Sequence, residues 1–267
     1  MPTVSKLTAQ QLREEFFRDI PLEDSRGRPV SDAALEKVIG VTEAEWTRMY
    51  SVLWTPTTVV AGAVPPDKIP PDQPTLEATP PSFDPEGWHA DRWHFLKLPY
   101  TPVRELHYVG LGLGGGASNA ILVFPPDWWQ LNKRRGTLQL FPAYQQLAVA
   151  NISSFQLSVI AGARRIPNAW RLCLSAGYDD VSVEQPDLAY YLLMAAAIKL
   201  LPKAAMLREG VISSESVSVD GLSQSRAYPV SGQTHRYSPY QKSLEEQLEN
   251  FKRSYFTTQK GLRMFSA

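Results

Sequence analysis

The sequence predicts an α+β fold in which helical segments near both ends and around residue 190 enclose a strand-rich middle. Three observations predict it. Apolar residues recur every three or four positions in residues 9–53, 186–210 and 238–267. The period shortens to about two between residues 88 and 185. A run of prolines separates the first helical stretch from the strands. The expected segments are therefore 1–60 (N-terminal helices), 61–87 (proline-rich extended arm), 88–185 (strand-rich insertion), 186–210 (buried helix), 211–237 (extended arm) and 238–267 (C-terminal helix and tail).

From the N-terminus, Thr8 and Gln11 have capping-box spacing, and Leu12, Phe16 and Phe17 share one helical face, which predicts a short helix near residues 9–18. Ser31 and Asp32 are N-cap residues for a second helix carrying Leu35, Val38, Ile39, Trp46, Met49, Tyr50 and Leu53. Its end is expected before Thr55 and Pro56, because the residue preceding proline is driven out of the α region. The run from Val64 to Pro85 carries too many prolines for a helix or a paired strand and reads as a solvent-facing arm.

Strands are expected at Trp93–Leu98, Leu106–Val109, Ala120–Phe124, Thr137–Leu140, Phe155–Ile160 and Trp170–Leu174. In the last, Leu172 and Leu174 face one way and Cys173 the other. After Pro186, with Asp187 as cap, LAYYLLMAAAIKLL is apolar on nearly every side, so this helix is expected to be buried all round. Lys199 and Pro202 mark it as too short for a membrane span. The serine-rich stretch from Val211 is an extended arm turning at Asp220 and Gly221. Ser238, Pro239 and Gln241 then supply a cap, a first-turn proline and a capping-box partner for a helix whose stripe of Leu244, Leu248, Phe251 and Tyr255 requires a partner surface.

Composition narrows the function. With 267 residues and 43% hydrophobic content the chain can bury a sizeable core. Lys plus Arg and Asp plus Glu both number 27, so bulk charge gives no attraction to nucleic acid or anionic membranes. One cysteine, Cys173, excludes an intramolecular disulfide and any multi-cysteine metal site, and its strand context makes it a packing residue rather than a nucleophile. The charged N-terminus does not read as a signal peptide, and the expectation is a soluble protein made in the cytoplasm.

Four motifs invite chemistry. Gly110 to Gly115 satisfies G-x-G-x-x-G, but a strand ending in Pro125 and Pro126 follows instead of the helix that a pyrophosphate needs, so the glycines are expected to form a hairpin turn. His89, Asp91 and His94 are the densest set of metal-ligand types and support one alternative from another class, a metal-dependent hydrolase. Tyr178, Asp179 and Asp180 resemble a paired-carboxylate site but lie where a turn is expected. Lys133, Arg134 and Arg135, just after Trp128 and Trp129, could touch nucleic acid, with a solvated hairpin turn as the plainer reading. No convergent acid, base and nucleophile set is visible, and the expectation is a non-enzyme without metal or cofactor.

The order VLWTPTTV, FPPDWWQLNKRRGTLQLFP, IPNAWRLCLSAGY, ESVSVDGLSQSRAYPVSG and YQKSLEEQLENFKRSYFTTQKGLRM resembles head-to-tail connector proteins of tailed bacteriophages, also called adaptors or head-completion proteins. The resemblance runs from about Ser31 onward, and VDGLSQS (Val219–Ser225) and KGLRM (Lys260–Met264) are its most specific parts. It implies a helical adaptor-type core, to which the strand-rich insertion is an addition. It also implies a virion neck protein forming a ring, commonly of twelve copies, between the portal and the tail or next neck protein, with DNA only passing through. Another virion component, a tail-completion or baseplate protein, fits the same architecture. A ring needs two different patches per subunit. Asp220, Gly221, Leu222 and Ser223, with Leu244, Leu248, Phe251 and Tyr255, are the expected contact residues.

Overall fold

The computed structural model describes residues 5–23, 27–83, 95–112, 122–140, 166–209, 214–219, 222–227 and 237–260. They form helices and mixed sheets, an α+β chain, as expected. The chain divides into a strand-rich unit built on Trp46–Asp180 and a helical unit built on Val4–Glu45 with Val181–Ala267.

In the strand-rich unit, β1 (Thr57–Ala61), β2 (Thr75–Ala78), β4 (Val103–Leu111), β5 (Leu122–Val123) and β8 (Trp170–Ala176) make a five-stranded sheet in the order β2-β1-β8-β4-β5. Only the β1–β2 pair is parallel. All seven residues of β8 are buried, so Leu172 and Leu174 on one face and Cys173 on the other are equally covered. A second, antiparallel sheet joins β3 (Phe95–Lys97), β7 (Thr137–Leu140) and β6 (Trp129–Asn132). Trp170, Phe124, Trp128, Leu138 and Leu140 belong to one apolar core.

Three sequence expectations need correction here. The second helix ends at Tyr50: Ser51 takes a left-handed φ of 57° while its N–H bonds Thr47 O at 2.9 Å, and Leu53 is buried beyond the helix. The β-branched run Thr57–Val60 after Pro56 forms a strand that the helical reading of its flank hid. The proline-rich run is not only an arm, since Thr75–Ala78 pairs with β1 and Thr58 N–H bonds Pro74 O at 2.9 Å. Prolines flank those four residues without interrupting them, and β2 lies at a sheet edge, where proline neighbours are tolerated. The expected strand Phe155–Ile160 lies outside the described residues.

In the helical unit, α1 (Ala9–Phe16) has the expected capping box: Gln11 N–H bonds Thr8 Oγ1 at 3.3 Å, and Thr8 N–H bonds Gln11 Oε1 at 2.9 Å. Helix α2 (Asp32–Tyr50) starts after Ser31 and continues into the other unit. Met49, expected on its apolar stripe, is 53% exposed. A short helix α3 (Val181–Glu184) leads to α4 (Pro186–Glu209). Pro186 occupies the first position and Asp187 the first turn, so Asp187 is not the cap. At 24 residues α4 also overturns the length argument. Its Pro186–Ala205 stretch, mean hydropathy 1.3, is long and apolar enough to cross a membrane by composition alone. Most of it is nevertheless buried within the protein, with Leu188, Leu192, Met194, Ala196, Ala197 and Leu201 fully covered, which is the burial of a core helix. The hairpin β9 (Ser214–Val219) and β10 (Leu222–Ala227) forms its own two-stranded sheet, and α5 (Ser238–Lys260) closes the unit.

Candidate interface and site residues

Helix α5 begins at Ser238, with Gln241 N–H bonding Tyr237 O at 2.8 Å, so the cap falls one residue before the expected Ser238. Of its stripe, Leu244 and Leu248 are 4% and 6% exposed, already covered by this chain. Phe251 stacks on Tyr191 of α4 with centroids 3.9 Å apart and rings 12° from parallel, and Tyr255 stacks on Phe251 at 5.0 Å. The stripe finds its partner inside the protein because α4 presents aromatic as well as aliphatic residues to it. Substituting Leu248 and Phe251 with Asp is therefore expected to disturb the fold itself, contrary to what the stripe alone suggests.

Of the other four expected contact residues, two lie on β10. Leu222 is in register with Val219 and Ser223 with Ser218, while Asp220 and Gly221 lie outside the described residues. The hairpin and the α5 stripe thus occupy separate elements of one unit.

The sequence motifs are mostly absorbed by packing. Gly110 and Gly112 lie on and just after β4, not in a positive-φ turn. A Cβ on Gly110 would come within 2.9 Å of Tyr108 Oη, and one on Gly112 within 2.1 Å of Arg171 Nε, so these glycines make room for two large side chains. Leu113 to Gly115 lie outside the described residues, as do His89, Asp91 and His94. Among the described residues no group of three or more His, Cys, Asp or Glu is placed to hold a metal ion. His107 Nε2 is 2.8 Å from Ser175 Oγ, but Ser175 is buried on β8. Tyr178 is buried, and Asp179 pairs with Arg104 at 2.5 Å. Burial pushes the Cys173 thiol up to about 11, consistent with a packing residue.

The basic turn is where the sequence places it. Lys133, Arg134 and Arg135 are exposed between β6 and β7. Arg135 N–H bonds Asn132 Oδ1 at 3.0 Å, Gly136 N–H bonds Asn132 O at 2.9 Å, and Gly136 takes a φ of +61°. Trp128 is buried, and Trp129 Nε1–H bonds Phe124 O at 3.1 Å.

One contact was not visible in the sequence. Ser5 donates its N–H (3.3 Å) and its hydroxyl to the Glu43 carboxylate on α2. Glu43 is 5% exposed, and burial holds its carboxyl above the usual range, partly offset by the Ser5 hydrogen bonds. Its position four residues after Ile39 and three before Trp46 is the hint that it faces inward.

No family model matches this chain, and no curated protein matches it. Two solved structures are similar to it at 13% identity. One is a chain of the virion of a native gene transfer agent particle (92% of each chain, TM-score 0.41). The other is a chain of the neck of an empty gene transfer agent particle computed with C6 symmetry (93% of this chain, 92% of the other, TM-score 0.40).

Proposed function

We propose that this chain is a structural, non-enzymatic protein of a tailed-phage neck, which forms a ring joining the portal of the DNA-filled head to the tail. The observation that carries the reading is the hairpin. The segment VDGLSQS (Val219–Ser225) is among the most connector-like parts of the sequence, and among the described residues the two six-residue strands that it joins in sequence belong to no larger sheet. A two-stranded hairpin is marginal in water by itself. A neighbouring subunit or portal supplies the surface that stabilises it.

Within this reading Asp220, Gly221, Leu222 and Ser223 remain contact residues. Leu244 and Leu248 serve the chain's own core, and Phe251 and Tyr255, half-buried, lie at its edge. The decisive experiment measures the mass of the purified chain alone and with its cognate portal, with electron micrographs of any large species. A ring or a stoichiometric portal complex, abolished by replacing Leu222 and Ser223 with Asp while circular dichroism is unchanged, is the expected result. A monomer indifferent to the portal overturns the proposal.

A further inference from the structure

We infer that the β6–β7 turn is a contact for the phosphate backbone of duplex DNA. Lys133, Arg134 and Arg135 are consecutive and exposed. Lys97, also exposed, is in register with Thr137, and Val103 N–H bonds Lys133 O at 2.9 Å, which places Arg104 next to the turn as well. Four cations thus gather at one end of the three-stranded sheet in a protein of zero net charge, and Arg104 beside them is paired with Asp179. A local field of this kind attracts a polyanion that the bulk charge does not.

The backbone that carries these cations is fixed. Besides the bonds from Arg135 and Gly136 to Asn132, Leu98 N–H bonds Gly136 O at 2.8 Å, and a Cβ on Gly136 would lie 2.4 Å from Thr101 Cγ2. The charges are therefore presented without the cost of ordering a loop. Arginine's planar fork matches phosphate oxygens. The neighbouring tryptophans favour duplex over single strand: Trp128 is buried, and Trp129, its indole N–H bonded to Phe124 O, packs in part against the apolar core, which leaves less ring face for unstacked bases. What is left is sequence-independent contact with phosphates. The inference rests on the neck reading only for which DNA the turn meets, namely DNA passing through the ring.

The test is fluorescence anisotropy of a random-sequence 30-base-pair duplex with the full chain, across a salt series. Wild type is expected to bind more weakly as salt rises. K133A/R134A/R135A is expected to flatten the slope of log K against log salt by about 2.7, at about 0.9 per lost phosphate contact. Removing two exposed lysines of the helical unit, K37A/K242A, should change nothing. R134E alone, at an exposed side chain, provides a second variant if the triple one fails to fold. Wild type without salt-sensitive binding, a turn variant that binds like wild type, or an equal loss in the control overturns the inference. Ring or portal assembly is measured on the same variants and should be unaltered, so failure here is distinguishable from failure of the neck reading.

Discussion

Phe251 of α5 lies flat on Tyr191 of α4, centroids 3.9 Å apart and planes 12° from parallel, and this stack sits at the centre of a run continued by Tyr255 and Phe256. Such pairs contribute beyond their buried area. Phe251→Ala is expected to cost about 2–3 kcal/mol, at or below the lower end for Phe truncation because the ring is half-buried. Leu248→Asp places a charge at a 6%-exposed position and should cost more. Urea unfolding of the isolated chain measures both. Wild-type midpoints, with a loss of ring assembly only, would return the stripe to the subunit interface.

The buried Glu43 carboxyl predicts a particular pH dependence. Its folded-state pKa is raised above that of an ordinary glutamate, chiefly by burial, so the folded state holds its proton to higher pH than the unfolded chain does. Its contribution is fully present below the unfolded pKa and is lost as pH rises through the folded one. Glu43→Gln removes the titration while keeping an oxygen to accept from Ser5. The variant should therefore gain stability relative to wild type as pH rises above 4.5. Denaturant midpoints at pH 4.5 and pH 7 measure the difference, and a gap independent of pH would show that Glu43 does not titrate across that window.

Features legible in the sequence were those whose signal is local. The capping box at Thr8, the turn at Lys133–Gly136 and the buried helix after Pro186 each follow from residues within one or two turns of each other. The features it hid depend on distant partners. Thr75–Ala78 is a strand because β1 offers it an edge, and no pattern within VPPDKIPPDQPTLEATPP announces that. The same holds for the α5 stripe, where periodicity shows that a partner is needed but not that α4 of the same chain provides it. Gly112 is another case, since Arg171, which fills the space over it, is 59 positions away.

Gly177 ends β8 with a φ of +111°, and a Cβ there would come 2.0 Å from Thr55 O. Both the backbone conformation and the space are closed to other residues. Its N–H bonds Pro102 O at 2.9 Å, so it cannot simply swing away. Gly177→Ala is expected to destabilise by at least about 2 kcal/mol, combining φ strain with a clash against backbone. Thermal unfolding tests it, with a drop of several degrees expected; an unchanged midpoint would mean that the β8 end does not take this conformation.

Cys173 offers a chemical report on the same sheet. It is fully buried between Leu172 and Leu174, paired across to Val60 and Tyr108, and burial lifts its thiol to about 11. At pH 8 roughly one thiol in a thousand is then ionised, and the thiolate is the reactive form. Ellman's reagent should leave the native chain unlabelled over hours and label one thiol per chain once urea opens the sheet. Because β8 is the central strand, labelling under native conditions can occur only through opening of the strand-rich core, so its rate should track global stability. Gly177→Ala should then accelerate it, while Phe251→Ala, in the other unit, should accelerate it only if the two units unfold together. Fast labelling of the native wild type would contradict the burial of β8 on both faces.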